Sequence, residues 1–339
     1  MNKFWNKKTV VRLILLFCIG LGLVLLFQKI NLQGSDLLEA LRRFSLQSLL
    51  LAMGVTFVQL VFQITRLWVL CPQSAGVTWR QAANTYVSGQ FIGNFVLSQA
   101  GHAVKIALLR KENDENGRQI DAPEATAIIL VDKLIDVGIL VTLALVSALQ
   151  VSVALPQVKW VEKGVIVLLG VPFLAIAVWT FIRFLRQRFP RIRRWFRKFQ
   201  VGLTVVRHPM QIRNAVVMDL GDWFTEALLL QILCIAQGQP LALPQLLLCL
   251  FLLNVGLSVP TTMANLGTYE AALAFSLNAM GMPLAQGVVV ATLFHGYQLL
   301  SLPMWMFFQK LSDRRPFARK LISAVPASLS QESRKVTTK

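Results

Sequence analysis

The chain has 339 residues, of which 55% are hydrophobic and only 15% charged, with a mean hydropathy of +0.59. That composition excludes an ordinary soluble domain and places the chain in a membrane. Its formal net charge of +18 falls in loops beside apolar runs, so the partners it implies are membrane lipids with anionic headgroups at the cytoplasmic face, and not nucleic acid.

A bilayer core takes about 20 apolar residues per helix. Runs of that kind lie at about 10–28, 46–70, 125–150, 163–184, 214–237 and 285–308. Lys3, Lys7, Lys8 and Arg12 introduce the first run, and Phe27-Gln28-Lys29-Ile30 follows it where a cleavage site needs small residues. The first span is therefore read as uncleaved. The second run carries Arg66, expected to pair with an acid, to hold a lipid phosphate, or to snorkel to the interface.

The next apolar segment, at about 82–99, is broken by Gly and Asn and is too short to cross before Gly101, His102 and Lys105 restore polarity. Positive loops stay cytoplasmic, which puts Arg66 and Arg80 at the inner end of the second span. The span beginning near 125 also starts inside. Residues 91–98 must then enter and leave by one face, as a re-entrant hairpin whose irregular backbone is tolerable only inside protein or beside a wet cavity.

Asp132, Lys133 and Asp136 follow within a span, the two carboxylates four apart and so on one helix face. They either fix helix packing or touch a headgroup or a coupling proton. The loop RFLRQRFPRIRRWFRKFQ, from Arg183, spaces Phe189, Ile192, Phe196 and Phe199 like an amphipathic helix on an anionic leaflet. Asp219, Asp222 and Glu226 then form a second acidic stripe. The broken segment at 244–280 is a second hairpin, from the outer face, or two short spans.

The two broken segments share Asn-x-x-Leu-Ser, at Asn94 to Ser98 and Asn254 to Ser258, and Arg66 stands as far before the first as Glu226 before the second. Paired broken segments in halves of opposite orientation are the mark of an inverted repeat. Beyond the second lies Gly267, free to make a tight turn, with Glu270 placed to cap a helix starting at Thr268. His295 sits in mid-span, as a proton exchanger or as a buried neutral ring.

The four cysteines, Cys18, Cys71, Cys234 and Cys249, make no CxxC pair, and the histidines have no ligand spacing. No metal and no cofactor are expected. The chain also lacks GxSxG, Walker and GxGxxG motifs.

The stretches NFVLSQAGHAVKIALL (from Asn94), VDKLIDVGIL (from Val131) and VPTTMANLGTYEAALAFSLNAMGMPLAQGVVVATLFHGY (from Val259) resemble the flippase-like membrane region of lysylphosphatidylglycerol synthases, a family of polytopic proteins that includes hopanoid-associated members. The likeness runs from the first span to about residue 310, and its more specific parts are the turn Leu266 to Glu270 and the helix Asp132 to Asp136. Family members often carry Pro and Gly-Glu where this chain has Ser98 and Gly101-His102, so an acidic role at that turn does not carry over. Bifunctional relatives append an aminoacyltransferase domain; with about 30 residues after the last span, lysyl transfer is not expected here.

The sequence thus predicts an all-α polytopic membrane protein with about six full spans plus two re-entrant hairpins, or eight spans. Residues 1–312 form one transmembrane domain with repeats at about 1–150 and 163–310, and 313–339 a basic, disordered cytoplasmic tail. The expected function is translocation of a phospholipid or lipid-linked headgroup between leaflets of the cytoplasmic (inner) membrane, a transporter and not an enzyme. The alternative is a membrane enzyme or accessory subunit in lipid or polyprenyl-linked glycan synthesis. Candidate cavity residues are Arg66, Asn94, Ser98, His102, Lys105, Asp132, Lys133, Asp136, Asp222, Glu226, Asn254, Ser258, Gly267, Glu270 and His295.

Both termini and the Arg183 to Lys198 loop are expected inside. A single cysteine placed in that loop should react with a membrane-impermeant maleimide only after cells are permeabilised; labelling of intact cells would reverse the orientation.

Overall fold

The structure, a computed structural model, describes residues 34–95, 98–111, 120–154, 208–258 and 265–312. The runs at 10–28 and 163–184, the Arg183 to Lys198 loop and the 313–339 tail lie outside the described residues. Among the described residues the regular structure is helical: α1 (Gly34–Arg42), α2 (Leu46–Leu70), α3 (Trp79–Phe95), α4 (Ser98–Lys111), α5 (Ala122–Ala154), α6 (Pro209–Ala236), α7 (Leu243–Leu257), α8 (Thr268–Ala279) and α9 (Leu284–Ser312), with a 3-10 turn at Gln73–Ala75.

Local chemistry sets the ends of these helices. Ser45 caps α2 by accepting from the Ser48 N–H at 3.1 Å, and Pro72 just beyond Cys71 discourages continuation. Pro209 and Pro244 occupy first-turn positions of α6 and α7, where a missing N–H costs nothing. Gly267, at φ 83°, opens α8, and its N–H donates to Glu270 Oε2 at 2.6 Å. The carboxylate thus caps the helix that starts at Thr268, as its spacing in the sequence suggested.

The helix α2, residues Ala122–Val151 of α5 and residues Leu284–Lys310 of α9 are long and apolar enough to cross a membrane. The helix α6 has 28 residues, about 42 Å of helix, but three acids interrupt its apolar run. Large apolar side chains project outward along the spans, among them Leu46, Leu50 and Val58 on α2 and Leu134, Val137 and Leu149 on α5. In water such a surface would be a liability; in lipid it is the solvated face.

The segment expected to be irregular is mostly helical. The helix α3 continues through Gly93 and Asn94 to Phe95, and α4 restarts at Ser98. The two pack at glycine: a Cβ on Gly101 would lie 2.5 Å from the Gly89 carbonyl and 2.7 Å from Gly93 Cα. Absent side chains allow this close approach. Asn94 accepts from Gln90 at 3.1 Å and Asn254 donates to the Leu250 carbonyl at 2.9 Å, so each amide bonds along its own helix. The helix α3 packs chiefly on α4 and α2, and α7 on α5 and α8.

Helix lengths run 25, 17, 14 and 33 residues in α2 to α5, then 28, 15, 12 and 29 in α6 to α9. Two apolar cores result. One gathers the C-terminal part of α6 with α7, α8, the first half of α9, Ala52 of α2 and, from α5, Leu140, Ala148 and Val151. The other gathers Leu60 to Cys71 of α2 with α3, α4, the first turns of α5, Ala215 of α6 and Leu302 of α9.

Replacing Gly101 by Ala should force the hairpin apart at backbone atoms that cannot yield, costing about 1–3 kcal/mol. Gly54, with open space around its Cα, is the control: Gly54→Ala should leave the protein unchanged or slightly more stable. Thermal unfolding in detergent compares the two; equal midpoints would refute the close packing.

Candidate functional site

Between the two cores lies a polar layer. The helix α2 contributes Gln59, Gln63 and Arg66, spaced so that they share a face, and α6 contributes Asp219, Asp222 and Glu226. The helices run antiparallel, since Arg66 meets Asp219 while Gln63 Nε2 donates to Asp222 Oδ1 at 3.0 Å. Gly221 lets them close: a Cβ there would stand 2.6 Å from the Phe62 ring.

Arg66 is 3% exposed and is the hub. Its Nε donates to Asp132 Oδ1 of α5 at 2.7 Å, and its Nη1 contacts Asp219 Oδ1. The same Nη1 lies 3.6 Å from Asp222 Oδ2 and 3.7 Å from Asp136 Oδ1. Four carboxylates from two helices therefore surround one guanidinium, whose planar fork of donors suits several oxygens at once. Lys133, with its side chain 47% exposed, bonds Asp136 Oδ2 at 2.6 Å from the rim.

Lys105 is buried on α4, above the Tyr86 ring at 4.0 Å, and donates to Gln90 Oε1 at 3.2 Å. It lies within electrostatic range of Asp132 and Asp136. His102, one turn earlier on α4 and partly exposed, feels Lys105, Lys133 and Asp132. The hairpin thus brings a cation to the flank of the carboxylate cluster.

One turn beyond Asp222, Glu226 accepts from Gln298 Nε2 of α9 at 3.1 Å. On α9 one turn before Gln298, His295 Nδ1 stands 2.7 Å from Glu270 Oε1 and stacks flat on Tyr269, with centroids 4.0 Å apart. Glu270 therefore ties α8 to α9 while capping α8.

Of the candidate residues, Arg66, Asp132, Lys133, Asp136 and Asp222 form one cluster, with Lys105 and His102 beside it and Glu226 following. Gly267, Glu270 and His295 form a second group. Asn94 and Asn254 belong to neither by direct contact; Ser258 bonds the Val255 carbonyl at 2.7 Å, and the Ser98 side chain lies outside the described residues. Arg66 pairs with acids, one of the outcomes expected for it. Missing from the candidates were Asp219, whose stripe was recognised, and the amides Gln59, Gln63 and Gln298. Their signal was available: amides at helical spacing with Arg66 in an otherwise apolar run. Among the described residues no three His, Cys, Asp or Glu side chains are grouped to hold a metal ion.

Removing the hub leaves buried carboxylates uncompensated, which typically costs about 3–5 kcal/mol. Arg66→Leu should therefore lower the thermal midpoint steeply, and Arg66→Lys should recover only part of it because an ammonium cannot serve two helices with a planar fork. Replacing the hub and Asp219 together, as Arg66→Met with Asp219→Leu, should be milder than Arg66→Leu alone. Equal losses in all three would mean the cluster contributes no coupling.

The family described as the lysylphosphatidylglycerol synthase TM region has a model that matches residues 10–303, well over half of the chain. None of the curated proteins matches it.

Proposed function

Because the chain belongs to the lysylphosphatidylglycerol synthase transmembrane-region family, and is thus a membrane protein of lipid metabolism, we propose that it is an inverted-repeat lipid translocase. It moves a phospholipid or lipid-linked headgroup between leaflets of the cytoplasmic membrane, with both termini inside.

One observation carries this reading. The eight buried residues of α2, Ala52, Thr56, Gln59, Leu60, Ile64, Arg66, Leu67 and Leu70, each have a buried residue 163 positions later in α6: Ala215, Asp219, Asp222, Trp223, Ala227, Leu229, Leu230 and Leu233. The same spacing carries buried Ala83, Tyr86 and Val87 of α3 to buried Leu246, Cys249 and Leu250 of α7, and Asp132 of α5 to His295 of α9. Packing partners exchange in step: α3 on α4 as α7 on α8, α4 on α5 as α8 on α9, and α5 on α7 as α9 on α3. Since α2 and α6 run antiparallel, the axis relating them lies across the helices, which is the geometry of an inverted repeat. This register differs by three from the 160 suggested by Asn94 and Asn254, so the shared Asn-x-x-Leu-Ser is not what aligns the halves.

The paired hairpins support the same reading. At 17 and 14 residues, and 15 and 12, these helices fall short of the about 20 that a full crossing takes. We take each hairpin as re-entrant. Helix ends inside the bilayer offer dipoles to a headgroup while acyl tails stay in lipid. Asp222 and Glu226 stand near the centre of the exchange, as groups able to stand in for water around a polar headgroup.

Reconstitution tests this. Vesicles carrying the protein should expose inner-leaflet fluorescent phospholipid to an external quencher faster than protein-free vesicles. Asp222→Asn and Glu226→Gln should slow that exchange several-fold with insertion and thermal midpoint nearly unchanged. Exchange no faster than in empty vesicles, across anionic and zwitterionic lipids, would end the translocase reading.

A further inference from the structure

We infer that a cavity between α2, α3 and α9 binds one anionic phospholipid, with its phosphate at Arg80 and an acyl chain along Phe57, Trp305 and Phe308. The site rests on the reading of the chain as a lipid-handling membrane protein and adds to it a location and a preference for negative headgroups.

The cavity measures about 640 Å³ and is lined by Phe57, Trp79, Arg80, Trp305, Phe308 and Gln309. That is within the usual range for small-molecule sites, about 300–1,000 Å³. Its walls are fixed. Trp79 donates through Nε1 to Thr65 Oγ1 at 3.1 Å and meets Trp305 edge-on with centroids 6.0 Å apart. Phe57 lies 6.5 Å from Trp305 and 6.4 Å from Phe308. Four aromatic residues from three helices thus form an apolar trough, and Phe308, 55% exposed, opens it to the surrounding lipid.

Arg80 and Gln309 are the polar side chains in this lining, and Arg80 is the charged one. Arg80 is exposed at the second position of α3, where the helix dipole adds positive potential. A guanidinium at a helix start beside an apolar trough matches a phosphate bearing a hydrocarbon chain. A zwitterionic lipid brings its own cation toward the same arginine, so a headgroup such as glycerol, which leaves the phosphate charge uncompensated, fits better.

Tryptophans at a membrane interface often need no explanation beyond the aromatic belt. The repeat supplies a control. The positions 163 away from the six lining residues are Leu220, Ala242, Leu243, Thr142, Leu145 and Val146, none of them aromatic or charged. The fold alone does not demand this set of side chains, since its other half does without them. An acyl chain beside an anionic group explains why aromatic surface and arginine coincide on one side only.

Vesicles of phosphatidylglycerol and phosphatidylcholine, doped with a photoactivatable analogue of one or the other, test the inference on the full chain. The phosphatidylglycerol analogue should crosslink to peptides containing Trp79 to Gln81 and Trp305 to Gln309, several-fold more than the phosphatidylcholine analogue. Arg80→Glu should abolish that preference, and Arg80→Gln, which removes charge without inverting it, should reduce it if Arg80→Glu folds poorly. Equal labelling by both lipids, labelling insensitive to Arg80, or a protein segment crosslinked there in place of lipid would overturn it. Leaflet exchange is followed separately in the same vesicles: its absence with labelling intact overturns the translocase reading and leaves the lipid site standing.

Discussion

A single guanidinium held among four carboxylates inside a membrane protein is the constraint around which the remaining packing is arranged. Charges in hydrocarbon are tolerated only when each finds partners inside the bundle. Arg66 meets Asp132 and Asp136 from α5 and Asp219 and Asp222 from α6. Three long helices are thereby fixed in rotation and depth, because a turn of any one by a single residue would swing an acid toward lipid. Gly221 against Phe62 and Gly101 against Gly89 and Gly93 then set how closely neighbouring helices follow.

In the proposed repeat the two halves share a framework but not a charge pattern. At the register of 163, α2 presents Thr56, Gln59 and Gln63 where α6 presents Asp219, Asp222 and Glu226. Amides stand opposite acids, which lets hydrogen bonds replace like-charge repulsion where the helices face one another. Arg66 has Leu229 as its counterpart, so the ion cluster forms on one side of the exchange only. The other side is closed by Glu226 with Gln298 and by Glu270 with His295. The two polar groups are therefore held by bonds of different kinds, and under the proposed repeat a conformational change that exchanged the halves would not meet equal resistance in both directions.

Much of this was legible in the sequence. Hydropathy located the spans α2, α5 and α9, and the cost of buried charge pointed to Arg66, Asp132 and Asp222 before any contact was known. The turn at Gly267 with Glu270 three residues later read correctly as a helix start, because capping is a local interaction. Register was harder to read. Asn94 and Asn254 match by letters, yet their amides bond within their own helices, and the register of 163 proposed above comes from which side chains are buried. Hydrophobic identity alone cannot reveal it, since in lipid both faces of a helix are apolar. Gln59, Gln63 and Gln298 escaped notice for a related reason: neutral amides disturb hydropathy little, and their importance comes from partners far away in the chain.

The division into two cores bears on the order in which the chain can be built. The first turns of α5 pack mostly with α2, α3 and α4, which precede α5 in the sequence, and also share their core with Ala215 of α6 and Leu302 of α9. Leu140, Ala148 and Val151, further along the same helix, belong with α6, α7 and α8, which a ribosome has not yet made when α5 is inserted. One helix therefore finds most of its partners at its first end while its second end waits in lipid for later ones. In hydrocarbon that wait is tolerable, because an apolar surface without its final neighbours is still solvated; in water the same half-finished helix would be a site of aggregation.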